Sequence, residues 1–182
     1  MPKPQKGPRL RKCAVCREPF QPRNMMHKVC GPNCAETHAE AIRSAQDRKQ
    51  DRERKQALKT RQDWLREAQQ AFNSYIRERD KTDPCISCGR FHDGSWDAGH
   101  YRSVGAAPAL RFDENNVHKQ CVPCNQHKGG NIVEYRLSLI NKIGRIAVEW
   151  LETEQPPAKY TIEDAQRIKA LYKQKLKELQ SC

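Results

Sequence analysis

The chain has 182 residues, 36% of them apolar and 31% charged, too little apolar surface for one large core and no run able to span a membrane. Its 34 Lys and Arg exceed 22 Asp and Glu by a formal +12, which points to a polyanionic partner, nucleic acid first. Nine Cys, eight of them in paired spacings, follow an N-terminus, MPKPQKGPRLRK, with basic residues but no apolar stretch. That combination implies metal binding in a reducing cytoplasm rather than exported disulfides.

Four segments are expected: 1–34, 35–83, 84–131 and 132–182. Residues 1–12 read as a Pro- and Lys-rich tail without apolar periodicity. Cys13-x2-Cys16 and Cys30-x3-Cys34 follow and make one candidate zinc site; His27 and His38 are spare donors that four thiolates do not need. Residues 1–34 hold eight basic residues and one acid. Arg11 and Lys12 are therefore candidate contacts to a DNA backbone, against the plainer reading of a solvated tail.

From Ala35 to about Lys81 there is no Pro or Gly, and Ala, Glu, Gln, Arg and Lys dominate, which predicts one long helix. Its first half is charged on every face, with pairs such as Asp51 and Lys55 at i,i+4, and reads as a solvated connector. Its second half carries a stripe of Leu58, Leu65, Ala68, Phe72, Tyr75 and Ile76. That stripe suits either the C-terminal helices or a second copy of the chain, so a homodimer is expected.

Asp83-Pro84 stops the helix and opens a second candidate zinc site, Cys85-x2-Cys88 with Cys121-x2-Cys124. About two structural zinc ions per chain follow from the two sets. Between the Cys pairs the pattern predicts a strand over 95–102, a loop, a return strand over 117–120 and a helix from about Cys124. Beyond Asn131, the spacing Ile132, Tyr135, Leu139, Ile143, Ile146, Ala147, Trp150, Leu151 predicts an amphipathic helix, ended by Gln155-Pro156-Pro157. Thr161 with Asp164 resembles a capping box opening a last helix with Ile168, Leu171, Leu176 and Leu179. Cys182 reads as a free terminal thiol. The fold class expected is α+β, mainly helical, around a small zinc-stapled core.

Phosphodiester hydrolysis needs an activated water and an electrophilic clamp on the phosphate. His100, in a strand beside Gly99, can take a proton near neutral pH. A divalent ion, usually Mg²⁺, suits hard oxygen ligands and neutralises the developing charge. Asn125, following the fourth cysteine of the second site, should stand at the start of a helix facing the same phosphate. Lys128, Arg102 and Arg111 are candidate phosphate contacts, whereas His92 and His118 read as packing or surface residues.

These residues resemble the HNH, or ββα-metal, nucleases, including the endonuclease VII type that cuts DNA junctions. The resemblance implies that His100 is the general base, Asn125 a Mg²⁺ ligand, and Asn116 the residue holding the loop between the strands. It makes His127 a second ligand or phosphate contact. That family often has Asp directly before the base, where this chain has Gly99; Asp97, on the Gly99 face of an ideal strand, is the candidate replacement. Over nearly the whole chain, WDAGHYR, AAPALRFDENNVHKQCVPCNQHKGGN and IVEYRLSLINKIG are similar to the NinG/Rap recombination proteins of lambdoid phages. That likeness implies a structure-specific, Mg²⁺-dependent endonuclease acting on branched DNA such as Holliday junctions and D-loops, in the cytosol of a bacterial host. Gly99 keeps open a zinc-stabilised DNA-binding or regulatory protein without cleavage, and a less selective nicking endonuclease is the near variant.

Overall fold

The computed structural model describes residues 10–181, so most of the expected tail and Cys182 lie outside the described residues. The described chain is α+β and mainly helical, and it divides after Leu58 into two compact units. In the first, β1 (Arg11–Lys12) and β2 (Pro19–Phe20) form a short antiparallel ribbon. His27 packs edge-on against Phe20 at 5.2 Å and accepts the Arg23 N–H through Nδ1 at 3.1 Å. It is occupied in folding the knuckle. Helix α1 (Pro32–Ala57) then starts with Pro in its first turn and buries none of its residues.

The single helix expected over 35–81 is two. After Leu58 the chain turns, and Thr60 caps α2 (Arg61–Arg79). Thr60 Oγ1 accepts the Asp63 N–H at 3.2 Å, and Asp63 Oδ2 accepts the Thr60 N–H at 3.0 Å. This reciprocal pair satisfies donors that a helix start otherwise leaves orphaned, and it ends one helix without Gly or Pro. The expected Asp51–Lys55 ion pair does not close either; Lys49–Glu53, at 3.9 Å, is the one on α1 among the described residues.

In the second unit, α2 buries Trp64, Ala68, Ala71, Phe72, Tyr75 and Ile76 along one face. Their partners include Ala165, Ile168, Tyr172 and Leu176 of α5 (Ile162–Ser181). The two helices run in the same direction: Arg61 reaches the Tyr160 carbonyl, Glu67 pairs with Lys169 at 2.8 Å, and Ile76 shares a cluster with Leu176. Small Ala68 and Ala165 are fully buried where the helices meet, which lets the backbones approach. The buried part of the apolar stripe is thus covered by α5 within the chain. Leu58, its supposed first member, is 81% exposed.

Strand β3 (Trp96–His100) pairs antiparallel with β4 (Val117–Cys121), residue for residue from Trp96–Cys121 to His100–Val117. Ala98 and Val117 pack on the α2–α5 pair. Helices α3 (Ile132–Ile143) and α4 (Arg145–Glu152) close a second cluster with Ile86, Tyr101, Leu110, Tyr135, Leu139, Val148 and Leu151. The single helix expected beyond Asn131 is broken at Gly144, whose φ of +86° is open to glycine but strained for other residues. The break rotates the apolar pattern, so Val148 and Leu151 go inside while Ile146 and Trp150 are 85% and 52% exposed. Thr161 and Asp164 cap α5 reciprocally, at 3.0 and 3.1 Å.

Asp80, at the end of α2, joins the layers: it accepts Arg79 Nε at 2.7 Å and the Lys119 N–H of β4 at 3.1 Å, and contacts buried His118. Burial alone would push this carboxyl up, but His118 and Arg79 outweigh it and hold it well below the usual carboxylate range. A depressed native value means that its stabilisation is complete above the unfolded carboxylate range and is lost as pH falls towards the native value. Asp80→Asn leaves Arg79 uncompensated and should cost about 3–5 kcal/mol at neutral pH. Denaturant unfolding should show that gap steady down to about pH 4.5 and shrinking below about pH 4.

Candidate active site

Cys85 and Cys88 lie on the turn before the hairpin, Cys121 ends β4, and Cys124 sits in the π-helical turn Pro123–His127. Their four sulfurs all lie within 4.8 Å of one another, with Cys88 and Cys121 at 3.9 Å. A tetrahedral zinc with Zn–S bonds of about 2.3 Å needs edges of about 3.8 Å, so the donor set fits that ion. The Cys121 N–H donates to Cys85 Sγ at 3.4 Å, and Asn131 Nδ2 approaches Cys124 Sγ at 3.9 Å; such donors neutralise thiolate charge. Cys13, Cys16, Cys30 and Cys34 form a second cluster within the same limit, with sulfur separations of 3.5 and 3.7 Å. Two structural zinc sites are consistent with both sets.

The cluster of Cys85, Cys88, Cys121 and Cys124 brings the end of β4 to the turn that carries Asn125, and β4 fixes β3 and His100. His100 Nε2 lies 3.1 Å from the Arg111 carbonyl. A carbonyl only accepts, so Nε2 carries the proton and Nδ1 keeps its lone pair. Burial lowers the His100 pKa, the Arg111 carbonyl raises it in part, and the Arg111 charge lowers it again. The site therefore favours the neutral ring more than water does.

Asn125 donates Nδ2 to Asp97 Oδ2 at 2.8 Å, and Gln126 Nε2 donates to the same oxygen at 2.9 Å. Because a carboxylate accepts, this orientation leaves Asn125 Oδ1 as the donor atom for a cation. His100, Asn125, Arg102, Gly129 and Gly130 line one open cleft of about 570 Å³. Asn116 is fully buried beneath it, accepting the Arg102 N–H at 2.8 Å and donating to the Arg102 and Leu110 carbonyls at 3.0 and 3.1 Å. Three bonds from one amide thus hold the loop after β3.

Apart from Arg102, the other candidates do not line that cleft. Asp97 touches Asn125 without lining the cleft, and exposed His127 does not line it. Lys128 faces a separate cleft beside the zinc cysteines. The Arg102 guanidinium donates to the Glu152 carbonyl at 3.1 Å, and that of Arg111 to Gln69 on α2 at 2.8 Å. Arg11 and Lys12 belong to the first unit.

Gly99 has a steric cause. A Cβ there would lie 2.1 Å from Oε1 and 2.9 Å from Cβ of Gln120. Gln120 is fully buried and donates to Ser87 Oγ at 2.6 Å and to the Gly130 carbonyl, tying the first knuckle turn to the cleft rim. Its Oε1 has no hydrogen-bond partner among the described residues and lies over Gly99. The strands pair without a bulge, so Asp97 shares the Gly99 face, two residues from the position that glycine must hold.

Residues 5–181 match the family described as Bacteriophage Lambda NinG protein. The chain is 47% identical to protein ninG of Escherichia phage 933W, with 96% of each chain covered. Against protein ninG of Escherichia phage lambda it is 46% identical, covering 96% of this chain and 95% of that one, and against that of Salmonella phage P22 48% identical, covering 90% of each. The chain belongs to the NinG family. No solved structure matches it.

Sequence reasoning about this NinG family chain missed Gln120, the Arg111 carbonyl and Tyr135, whose hydroxyl donates to the Gly99 carbonyl at 3.0 Å. Tyr135 was visible only as one more apolar position, and Gln120 carried no signal in the sequence. Gly99→Ala should destabilise by about 1–3 kcal/mol through overpacking. A double-mutant cycle should show that penalty largely removed when Gln120→Ala clears the space.

Proposed function

We propose that this protein is a metal-dependent endonuclease acting on branched DNA, with His100 as general base. The observation that carries the reading is His100, its Nε2 within 3.1 Å of the Arg111 carbonyl, in the same cleft as Asn125. His100 Nδ1 takes a proton from a water poised against a phosphodiester. The resulting hydroxide attacks phosphorus, the bond from phosphorus to the sugar oxygen opposite breaks, and the departing sugar oxygen takes a proton from solvent. Asn125 Oδ1, supported by Asp97, would hold a divalent ion such as Mg²⁺. When bound, such an ion supplies positive charge to the phosphate and its leaving oxygen. Asn116 keeps the loop that supplies Arg111 in register, and so acts on the base through its carbonyl.

The formal charge of +12 supports a DNA partner, and likeness to junction-cutting nucleases supports branched substrates. Paired incision of a four-way junction calls for two His100 sites, hence a homodimer; with the α2 stripe covered by α5, its contact would use another surface. A second reading, DNA binding without cleavage, draws on Gly99 standing where related nucleases carry an acid.

His100→Ala should reduce cleavage of a four-way junction in Mg²⁺ by about 10²–10⁴-fold while junction affinity changes little. Asn125→Ala should raise the Mg²⁺ requirement. Because the His100 pKa is lowered, wild-type cleavage should begin to fall only below the ordinary histidine range as pH drops. Junction binding without cleavage at any Mg²⁺ concentration would favour the second reading, and unreduced cleavage by the His100→Ala protein would remove His100 from the chemistry.

A further inference from the structure

Helix α1 breaks a local rule. It buries none of its 26 residues, yet Arg48, Arg52 and Lys55 stand at i, i+4 and i+7 on one face. At 100° per residue they fall within a sector of about 60°, while Glu36, Glu40, Asp47 and Asp51 fall in a neighbouring sector about 100° round the helix. Like charges one turn apart weaken an isolated helix. No ion pair among the described residues closes on Arg48, Arg52 or Lys55: Asp51, at the edge of this sector, lines the same groove as all three without pairing, and Arg48 donates to Ser44 Oγ at 2.6 Å. Ala41, Ser44 and Ala45 continue this sector towards the N-terminus, so a backbone can approach closely.

We infer that this face of α1 is a docking ridge for a DNA sugar-phosphate backbone. The inference rests on the DNA reading above and adds the surface that does the binding. From i to i+7 the helix rises about 10.5 Å, the axial advance of about three phosphate steps of about 3.4 Å each along one strand, so three long cationic side chains can all reach phosphates of one short backbone stretch. Cys34 lies in the first turn of α1 and belongs to the first cysteine cluster. A zinc there anchors the helix as a rod of about 39 Å, which makes the ridge rigid.

The test uses the full zinc-loaded chain, a labelled four-way junction and a labelled duplex, read by fluorescence anisotropy across a salt series without added Mg²⁺. Arg48→Gln/Arg52→Gln/Lys55→Gln should make the log K versus log[salt] slope shallower by about 2 to 3 and weaken binding roughly tenfold or more. Arg43→Gln/Arg54→Gln, on the acidic sector, should change the slope by about 1 or less. Circular dichroism should show equal helicity in all three proteins. If the triple variant loses helix, the charge-conserving Arg48→Lys/Arg52→Lys/Lys55→Arg must bind like wild type. A triple variant with the wild-type slope, a control losing as much, or a charge-conserving variant that fails to bind would overturn the ridge alone. Wild-type protein that binds neither DNA would overturn the DNA reading with it.

Discussion

Four cysteine sulfurs gathered within 4.8 Å hold together a core that could not hold itself. Two five-residue strands make a hairpin of marginal stability, and the turn after it is a single π-helical one. Cys121 closes the last residue of β4 onto Cys85, and Cys124 does the same for the turn, so a zinc in that set locks strand to turn. Everything in the cleft hangs from that lock. Asn125 directly follows Cys124, and His100 reaches its position through register with β4.

The helices supply the floor and the frame. Parallel packing of α2 and α5 buries Phe72, Ile76 and Tyr172 beneath the strands, and Asp80 ties the end of α2 to β4. Glu114, held by Tyr75, Tyr172 and Lys175, fastens the loop before β4 to both helices. On the far side, Glu152 accepts the bidentate Arg136 guanidinium and the Tyr101 hydroxyl, fixing the start of the loop whose other end supplies the Arg111 carbonyl. A half-buried hub on each side therefore positions the base without touching it.

Much of this was legible from local pattern. The Cys pairs marked both knuckles, Thr161 with Asp164 marked α5, and the NinG likeness was carried by motifs spread over nearly the whole chain. What escaped was of two kinds. Thr60-x-x-Asp63 is a helix start of the same type as Thr161-x-x-Asp164, but it hides in a run rich in helix formers. Gly144 likewise divides a pattern that reads as continuous because its apolar residues keep nearly regular spacing. The other kind is tertiary: Gln120 over Gly99, and Arg111 beside His100, are contacts between residues 21 and 11 apart. No local rule specifies them, since both depend on strand register and loop path.

The account turns on the protonation of one ring: His100 must be neutral, with its proton on Nε2 and a free Nδ1 facing the cleft. Long-range ¹H–¹⁵N NMR of the zinc-loaded protein at neutral pH reads this directly, because a protonated and an unprotonated ring nitrogen resonate far apart. The account predicts a neutral His100 in the Nε2–H form, converting to the imidazolium only below the ordinary histidine range. A proton on Nδ1, or a charged ring at pH 7, would contradict it.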